Sequence, residues 1–92
     1  MWWKTTGHRE LYKLLMLWWD PIGVKDIPEA QREYEGYAGR LGRMLREDAD
    51  PEAIAAFLGD AETGMGLQPR QERNELVAAK LRSWYNEEMR TT

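Results

Sequence analysis

The 92-residue chain has no cysteine, one histidine and one phenylalanine. Without cysteine it can form no disulfide, no thiolate metal site and no cysteine nucleophile. His8 alone cannot build a histidine-based metal site or a histidine–carboxylate triad, so we interpret it as a surface or capping residue. The sequence therefore predicts a protein that is not an enzyme, with no catalytic residues, no metal ligands and no cofactor.

Long hydrophobic runs are also missing. The longest apolar run, residues 14–19, is six residues, whereas a membrane-spanning helix needs about 20. Glu10 and Lys13 interrupt the apolar region, and no small-residue cleavage site follows it. We expect a cytoplasmic protein with no membrane partner.

Basic charge is scarce in the middle of the chain. Residues 26–67 carry four basic and ten acidic side chains, although the net charge of the whole chain is only −3. From Glu47 to Glu62 there are six acidic residues and no lysine or arginine. Nucleic-acid-binding proteins usually carry a basic face instead, so no nucleic-acid partner is expected. The acidic stretch is either an ordinary solvated face or a docking surface for a basic protein.

The apolar residues recur at helical spacing, and no segment alternates like a strand. We predict an all-α fold, a compact antiparallel bundle of four helices with short connections. The domain covers residues 1–92, with residues 1–5 as a flexible start. The predicted helices span about 6–19, 27–46, 51–64 and 69–89.

Each predicted helix has a face for the core and recognisable ends. Asp50 is expected to cap the third helix, with Pro51 in its first position. Gly64 and Gly66 are expected to end it. The predicted buried faces of the first and last helices comprise Leu11, Leu14, Leu15 and Trp18, and Leu76, Val77, Leu81 and Trp84.

Two features near these helices allow two interpretations each. Gly36, Gly39 and Gly42 either admit a close neighbour or weaken an exposed face. Trp2 and Trp3, which precede the predicted first helix, either fold back onto the protein or stand exposed as interface residues.

The connection between the first two helices is apolar and aromatic, unlike most loops. Asp20 comes at its start, Glu29 and Glu33 lie one helical turn apart after it, and Tyr34 and Tyr37 follow. Turn, cap and core roles explain these residues, and so does contact with a partner. Carboxylates in this pattern are also compatible with a divalent metal or an acid–base pair.

The motif W-D-P-I-G-V, then P-E-A and E-Y-x-x-Y, resembles a family of small bacterial all-helical proteins classed as a domain of unknown function. The resemblance extends through residues 53–66 into the last helix. It implies a small helical bundle and carries over no reaction. The matching positions are residues 19–24 and 28–30, with Glu33, Tyr34 and Tyr37.

We favour a non-enzymatic protein-interaction module, in its narrower form an immunity- or antitoxin-like binder of a basic partner. Self-association is also compatible. The alternative is a small-molecule or divalent-metal binding protein that uses Asp20, Glu29, Glu33, Tyr34 and Tyr37. The candidate partner-binding residues are Trp19, Asp20, Glu29, Glu33, Tyr37, Asp48, Asp50 and Glu52.

Overall fold

The computed structural model describes residues 2–20 and 28–91, and within them every regular element is a helix. The prediction of an all-α fold with four helices is therefore confirmed. The first helix, α1, consists of three consecutive segments, Trp3–Gly7, His8–Leu14 and Leu15–Trp19. The others are α2 (Pro28–Arg46), α3 (Pro51–Gly64) and α4 (Gln71–Thr91).

Contacts within the chain group it into two compact units, Met1–Arg43 and Met44–Thr92. The first unit holds α1 and most of α2, and the second holds the end of α2 with α3 and α4. Each unit has its own buried apolar side chains. The single domain over residues 1–92 stays a prediction.

In the first unit, α1 begins earlier than predicted, at Trp3 instead of Thr6. The Trp3 indole lies against Gly7 of its own helix and against Gly42 of α2. Trp2 and Trp3 are both half-buried, with ring centroids 5.8 Å apart. The helix extends to Trp3 because the Trp3 ring packs against Gly42. Since Gly42 is distant in sequence, the local pattern of residues does not predict this contact.

The buried face of α1 differs from the predicted one. Leu11, Leu15 and Trp19 are buried, whereas Leu14 and Trp18 are only half-buried. Neighbouring helix positions diverge by about 100°, so when Trp19 enters the core its neighbour cannot. The last turn is also wide, because the Asp20 N–H bonds to the Leu15 carbonyl, five residues back, at 2.9 Å.

The three glycines of α2 divide between the two interpretations. A Cβ atom at Gly42 would overlap the Trp3 ring, so this glycine does admit a close neighbour. Gly39 has only the His8 ring nearby, at 4.0 Å, and around Gly36 no other described atom lies within 4 Å. Gly36 therefore belongs to an exposed face.

In the second unit, α3 and α4 form an antiparallel hairpin. The end of α3 contacts the start of α4, while the Arg82 guanidinium reaches back to the residues ahead of α3. It donates to the carbonyl oxygens of Ala49 at 2.6 Å and Leu45 at 3.1 Å. The Leu45 carbonyl, at the end of α2, also accepts the Asp48 N–H at 3.2 Å, so Arg82 is its second donor.

The core of the hairpin confirms two of the four residues predicted on the buried face of α4, whereas Trp84 is only half-buried and Leu76 is exposed. Val77 and Leu81 are buried, but Leu76 is 65% exposed. The buried position one turn before Leu81 is Ala78, and Asn74 continues that line. Leu76 lies about 200° around the helix from the buried Ala78, on the other side of Val77, and so points to solvent.

An acidic groove between α3 and α4

The start of α3 follows the predicted capping pattern. Asp50 has extended backbone angles, and its Oδ1 accepts the Ala53 N–H at 2.9 Å. Pro51 occupies the first helical position, where its missing N–H costs nothing. Glu52 stands in the first turn, where the helix dipole stabilises a negative charge. The acidic character of this end is therefore compatible with helix formation.

The end of α3 is fixed by a left-handed glycine. Gly66 has φ of +81°, and its N–H bonds to the Thr63 carbonyl at 2.9 Å. The next N–H, of Leu67, bonds to the Glu62 carbonyl at 3.0 Å. These two bonds form a Schellman motif, which turns the chain sharply toward α4.

The Glu62 side chain ties this turn to α4. Its carboxylate is fully buried and accepts three hydrogen bonds. Arg70 donates its backbone N–H at 3.1 Å and its Nε at 2.9 Å, and Asn74 donates its Nδ2 at 2.6 Å. A buried charge is tolerated when it is paired and hydrogen-bonded in this way. Glu62 is thus part of the hairpin and contributes nothing to an acidic outer surface.

An open groove of about 710 Å³ runs along α3 and ends against the start of α4. Along α3 it is lined by the small residues Ala55, Ala56 and Gly59, which we call its floor. At Gly59 an added Cβ would lie 3.6 Å from the Pro69 Cβ, an ordinary contact distance. The lining residues are Pro51, Glu52, Ala55, Ala56, Gly59, Asp60, Thr63, Pro69, Gln71, Asn74 and Glu75.

The rim of the groove is acidic. Glu52 and Asp60 stand on the α3 side and Glu75 on the α4 side, all three exposed. The Gln71 Nε2 donates to the Glu75 carboxylate at 3.2 Å. Among the described residues that line the groove there is no lysine or arginine. The groove therefore presents negative charge around an uncharged floor.

The three predicted partner-binding residues of the second unit have different places. Glu52 lines the groove, while the Asp50 carboxylate is engaged as the cap of α3. Asp48 lies two residues after the end of α2 in a left-handed conformation, φ 62°, with its carboxylate 3.9 Å from the Arg82 Nη2. Only Glu52 is brought into a concave surface.

Two rim residues, Asp60 and Glu75, are absent from the predicted site. Asp60 follows Glu52 by two helical turns, so the spacing within α3 was a signal that could have found it. Glu75 reaches the same rim only because the turn at Gly66 brings α4 back along α3. No local pattern in the sequence contains that placement.

In the first unit, Trp19, Tyr34 and Tyr37 form an aromatic cluster. The Trp19 ring lies 5.4 Å from the Tyr34 ring and 5.9 Å, edge-on, from the Tyr37 ring. Trp19 is 1% exposed, so its ring serves the core of this unit. Burial, and then the nearby Glu33 carboxylate, raise the pKa of Tyr37, while Arg40 acts in the opposite direction.

The carboxylates of the corner are only partly described. Asp20 ends α1 and is half-buried, and Glu33 is exposed on α2. The Glu29 side chain and residues 21–27 lie outside the described residues. Across the described part of the chain, no three His, Cys, Asp or Glu side chains come together as a metal site would require. A ligand site at this corner stays a prediction.

Comparison of the chain with protein-family models, curated proteins and solved structures finds no match. The resemblance carried by the W-D-P-I-G-V motif therefore stays a prediction. Within residues 2–20 and 28–91, the helices fall short of the length and apolar character that crossing a membrane requires.

Proposed function

We propose that the protein is a non-enzymatic interaction module that binds a basic segment of another protein in the groove between α3 and α4. The observation that carries this proposal is the groove itself: Glu52, Asp60 and Glu75 surround a floor of alanine and glycine. An exposed carboxylate rim attracts cationic side chains and repels anionic ones, so it selects for a basic partner.

The shape of the site supports a macromolecular partner. The groove is open along α3, and the alanines and the glycine of its floor carry no side-chain hydrogen-bonding group that could orient a small ligand. Small-molecule sites are usually enclosed and lined by apolar and aromatic side chains with a few converging polar groups. A shallow surface with a charged rim instead resembles half of a protein–protein interface.

In its narrower form, the proposal is an immunity- or antitoxin-like role, in which the groove covers a basic functional surface of a toxin. Small size and acidic charge support this version. It requires the partner to lose activity when bound, which makes it separately testable on any partner that the groove retains.

The experiment compares capture from the native host's lysate by the wild-type chain and by the double variant Glu52→Lys/Asp60→Lys. The matched control, Glu47→Lys/Glu87→Lys, changes the net charge equally at exposed positions that do not line the groove. We expect one basic protein to be retained by wild type and control and lost from the groove variant. Circular dichroism checks that all three chains fold.

Binding of the purified partner would then be measured at low and at moderate salt. An interaction through the rim weakens as salt rises, because exposed charges are screened over about 10 Å at 0.1 M. Equal retention by the groove variant and the control would contradict the proposal, as would a partner that carries no basic surface.

A further inference from the structure

We infer that the segment bound in the groove is an α-helix, with two cationic side chains on one flank spaced by seven or eight residues. This inference rests on the proposed function and specifies the partner's structure. It depends on three properties of the groove: the spacing of its carboxylates, the small size of its floor residues and the hydrogen bonds that its polar side chains already make.

The spacing of the carboxylates sets the spacing of the cations. Glu52 and Asp60 both line the groove from α3, eight residues apart, which corresponds to about 12 Å along the helix axis and about 80° around it. Lysines at i and i+7 or i+8 of a partner helix are about 10–12 Å apart on one flank. Glu75 stands on the opposite wall, where a cation on the other flank would meet it.

The floor accommodates a helix at close range. Ala55, Ala56 and Gly59 are small residues at successive and one-turn spacing, so they leave room for the side chains of a packed helix. Laying the apolar face of an amphipathic helix into a groove between helices is a recurrent mode of peptide recognition.

The polar groups of the groove argue against an extended segment. A strand entering the groove would bring unpaired backbone N–H and C=O groups that need partners. The second unit has no strand among its described residues to pair with one, and two side-chain amides are already donating. Gln71 donates to Glu75, and Asn74 donates to Glu62. A helix satisfies its own backbone groups and makes no such demand.

The test measures, by fluorescence anisotropy, how tightly the full chain binds three labelled synthetic peptides of identical composition. The first is an alanine- and leucine-rich amphipathic helix with lysines at i and i+7 on one flank and one on the other. The second distributes the same residues around the helix, and the third moves a proline from the peptide's end to its centre. We expect the first to bind about tenfold more tightly than the others, a difference of the size that two exposed ion pairs provide.

Exchanging the charges of Asp60 and one peptide lysine tests which lysine faces Asp60. Asp60→Lys should weaken binding of the first peptide, and replacing the facing lysine of the peptide by glutamate should restore it. Ala56→Phe should block the groove, whereas Ala79→Phe, at an exposed alanine of α4 outside the groove, should not.

The outcomes separate this inference from the proposed function. Equal binding of all three peptides, lost in Glu52→Lys/Asp60→Lys, would overturn the helical partner and leave the acidic groove as a binding site. No binding of any peptide would also overturn the inference, while lysate capture decides the proposed function independently. Self-association that disappears in the groove variant would make a second copy of the chain the occupant.

Discussion

At the scale of single residues, Glu62 shows how a charged side chain becomes part of a core. Its carboxylate has no exposed surface and three donors, two from Arg70 and one from Asn74. The sequence alone does not distinguish Glu62 from the other acidic residues between Glu47 and Glu62. Only the return of α4 supplies the donors, so its role could not be predicted from the local pattern.

Replacing Glu62 by alanine should destabilise the protein by about 2–4 kcal/mol, because the buried Asn74 amide and the Arg70 N–H lose their acceptor. Urea unfolding followed by circular dichroism measures the change. Glu87→Ala is the control, since its pair with Arg90 is largely exposed, and should change stability by no more than about 0.5 kcal/mol. Equal effects of the two variants would refute the structural role of Glu62.

Tyr12 and Tyr37 predict how the first unit responds to alkaline pH. Burial raises the pKa of both hydroxyls, aided by Glu35 and Asp20 at Tyr12 and by Glu33 at Tyr37. A pKa raised in the folded state means that the unfolded chain loses its proton first. The stabilisation is therefore complete below the unfolded pKa of about 10 and is lost as pH rises through the folded value.

We accordingly expect the unfolding free energy to fall above about pH 10, and to fall less steeply in Tyr12→Phe and Tyr37→Phe. Tyrosinate absorbance during titration of the folded protein identifies the late-titrating groups. A fall of the same steepness in both variants would show that other groups govern the alkaline transition.

At the scale of helices, the accuracy of prediction depends on whether the signal is local. The observed bounds of α3 are the predicted ones, because the start signals, Asp50 and Pro51, and the glycine that ends the helix are all local in sequence. The start of α1 was missed because it depends on Trp3 meeting Gly42. For the groove, Glu52 was predicted from charge, but Glu75 joins it only through the hairpin.

Two helix ends of the same geometry carry different residues and should respond oppositely to substitution. The left-handed position holds Asp48 after α2 and Gly66 after α3. Asp48→Gly should stabilise by about 0.5–1 kcal/mol by removing the Cβ penalty, whereas Gly66→Ala should destabilise by about 1–2 kcal/mol. Thermal melting compares them. A loss of stability in Asp48→Gly would show that the ion pair between Asp48 and Arg82 outweighs the backbone strain.

Glycines of α2 provide a second matched pair. Gly36→Ala should stabilise by about 0.5–1 kcal/mol, because alanine favours the helix and no described atom opposes the methyl group. Gly42→Ala should destabilise by about 1 kcal/mol, since overpacking against Trp3 exceeds the same helix gain. Urea unfolding measures both. Equal gains would mean that the Trp3 ring moves aside without cost.

At the scale of the whole molecule, the proposed binding of a basic partner predicts that the acidic charge affects the association rate more than the dissociation rate. Exposed rim charges such as Glu52 and Asp60 act mainly on the association rate, through long-range attraction. For the purified partner, stopped-flow kinetics should show an association rate that falls as salt rises, with a nearly constant dissociation rate. A salt effect confined to dissociation would contradict this assignment.

The Glu62 cluster also has a consequence for how the hairpin forms. Its bonds join residues only 8 and 12 positions apart, and such short loops close quickly and at low entropic cost. The turn that carries the end of the groove can therefore assemble as soon as α3 and the first turns of α4 have left the ribosome. If these contacts form before the folding transition state, removing the Glu62 carboxylate should mainly slow refolding and leave the unfolding rate nearly unchanged.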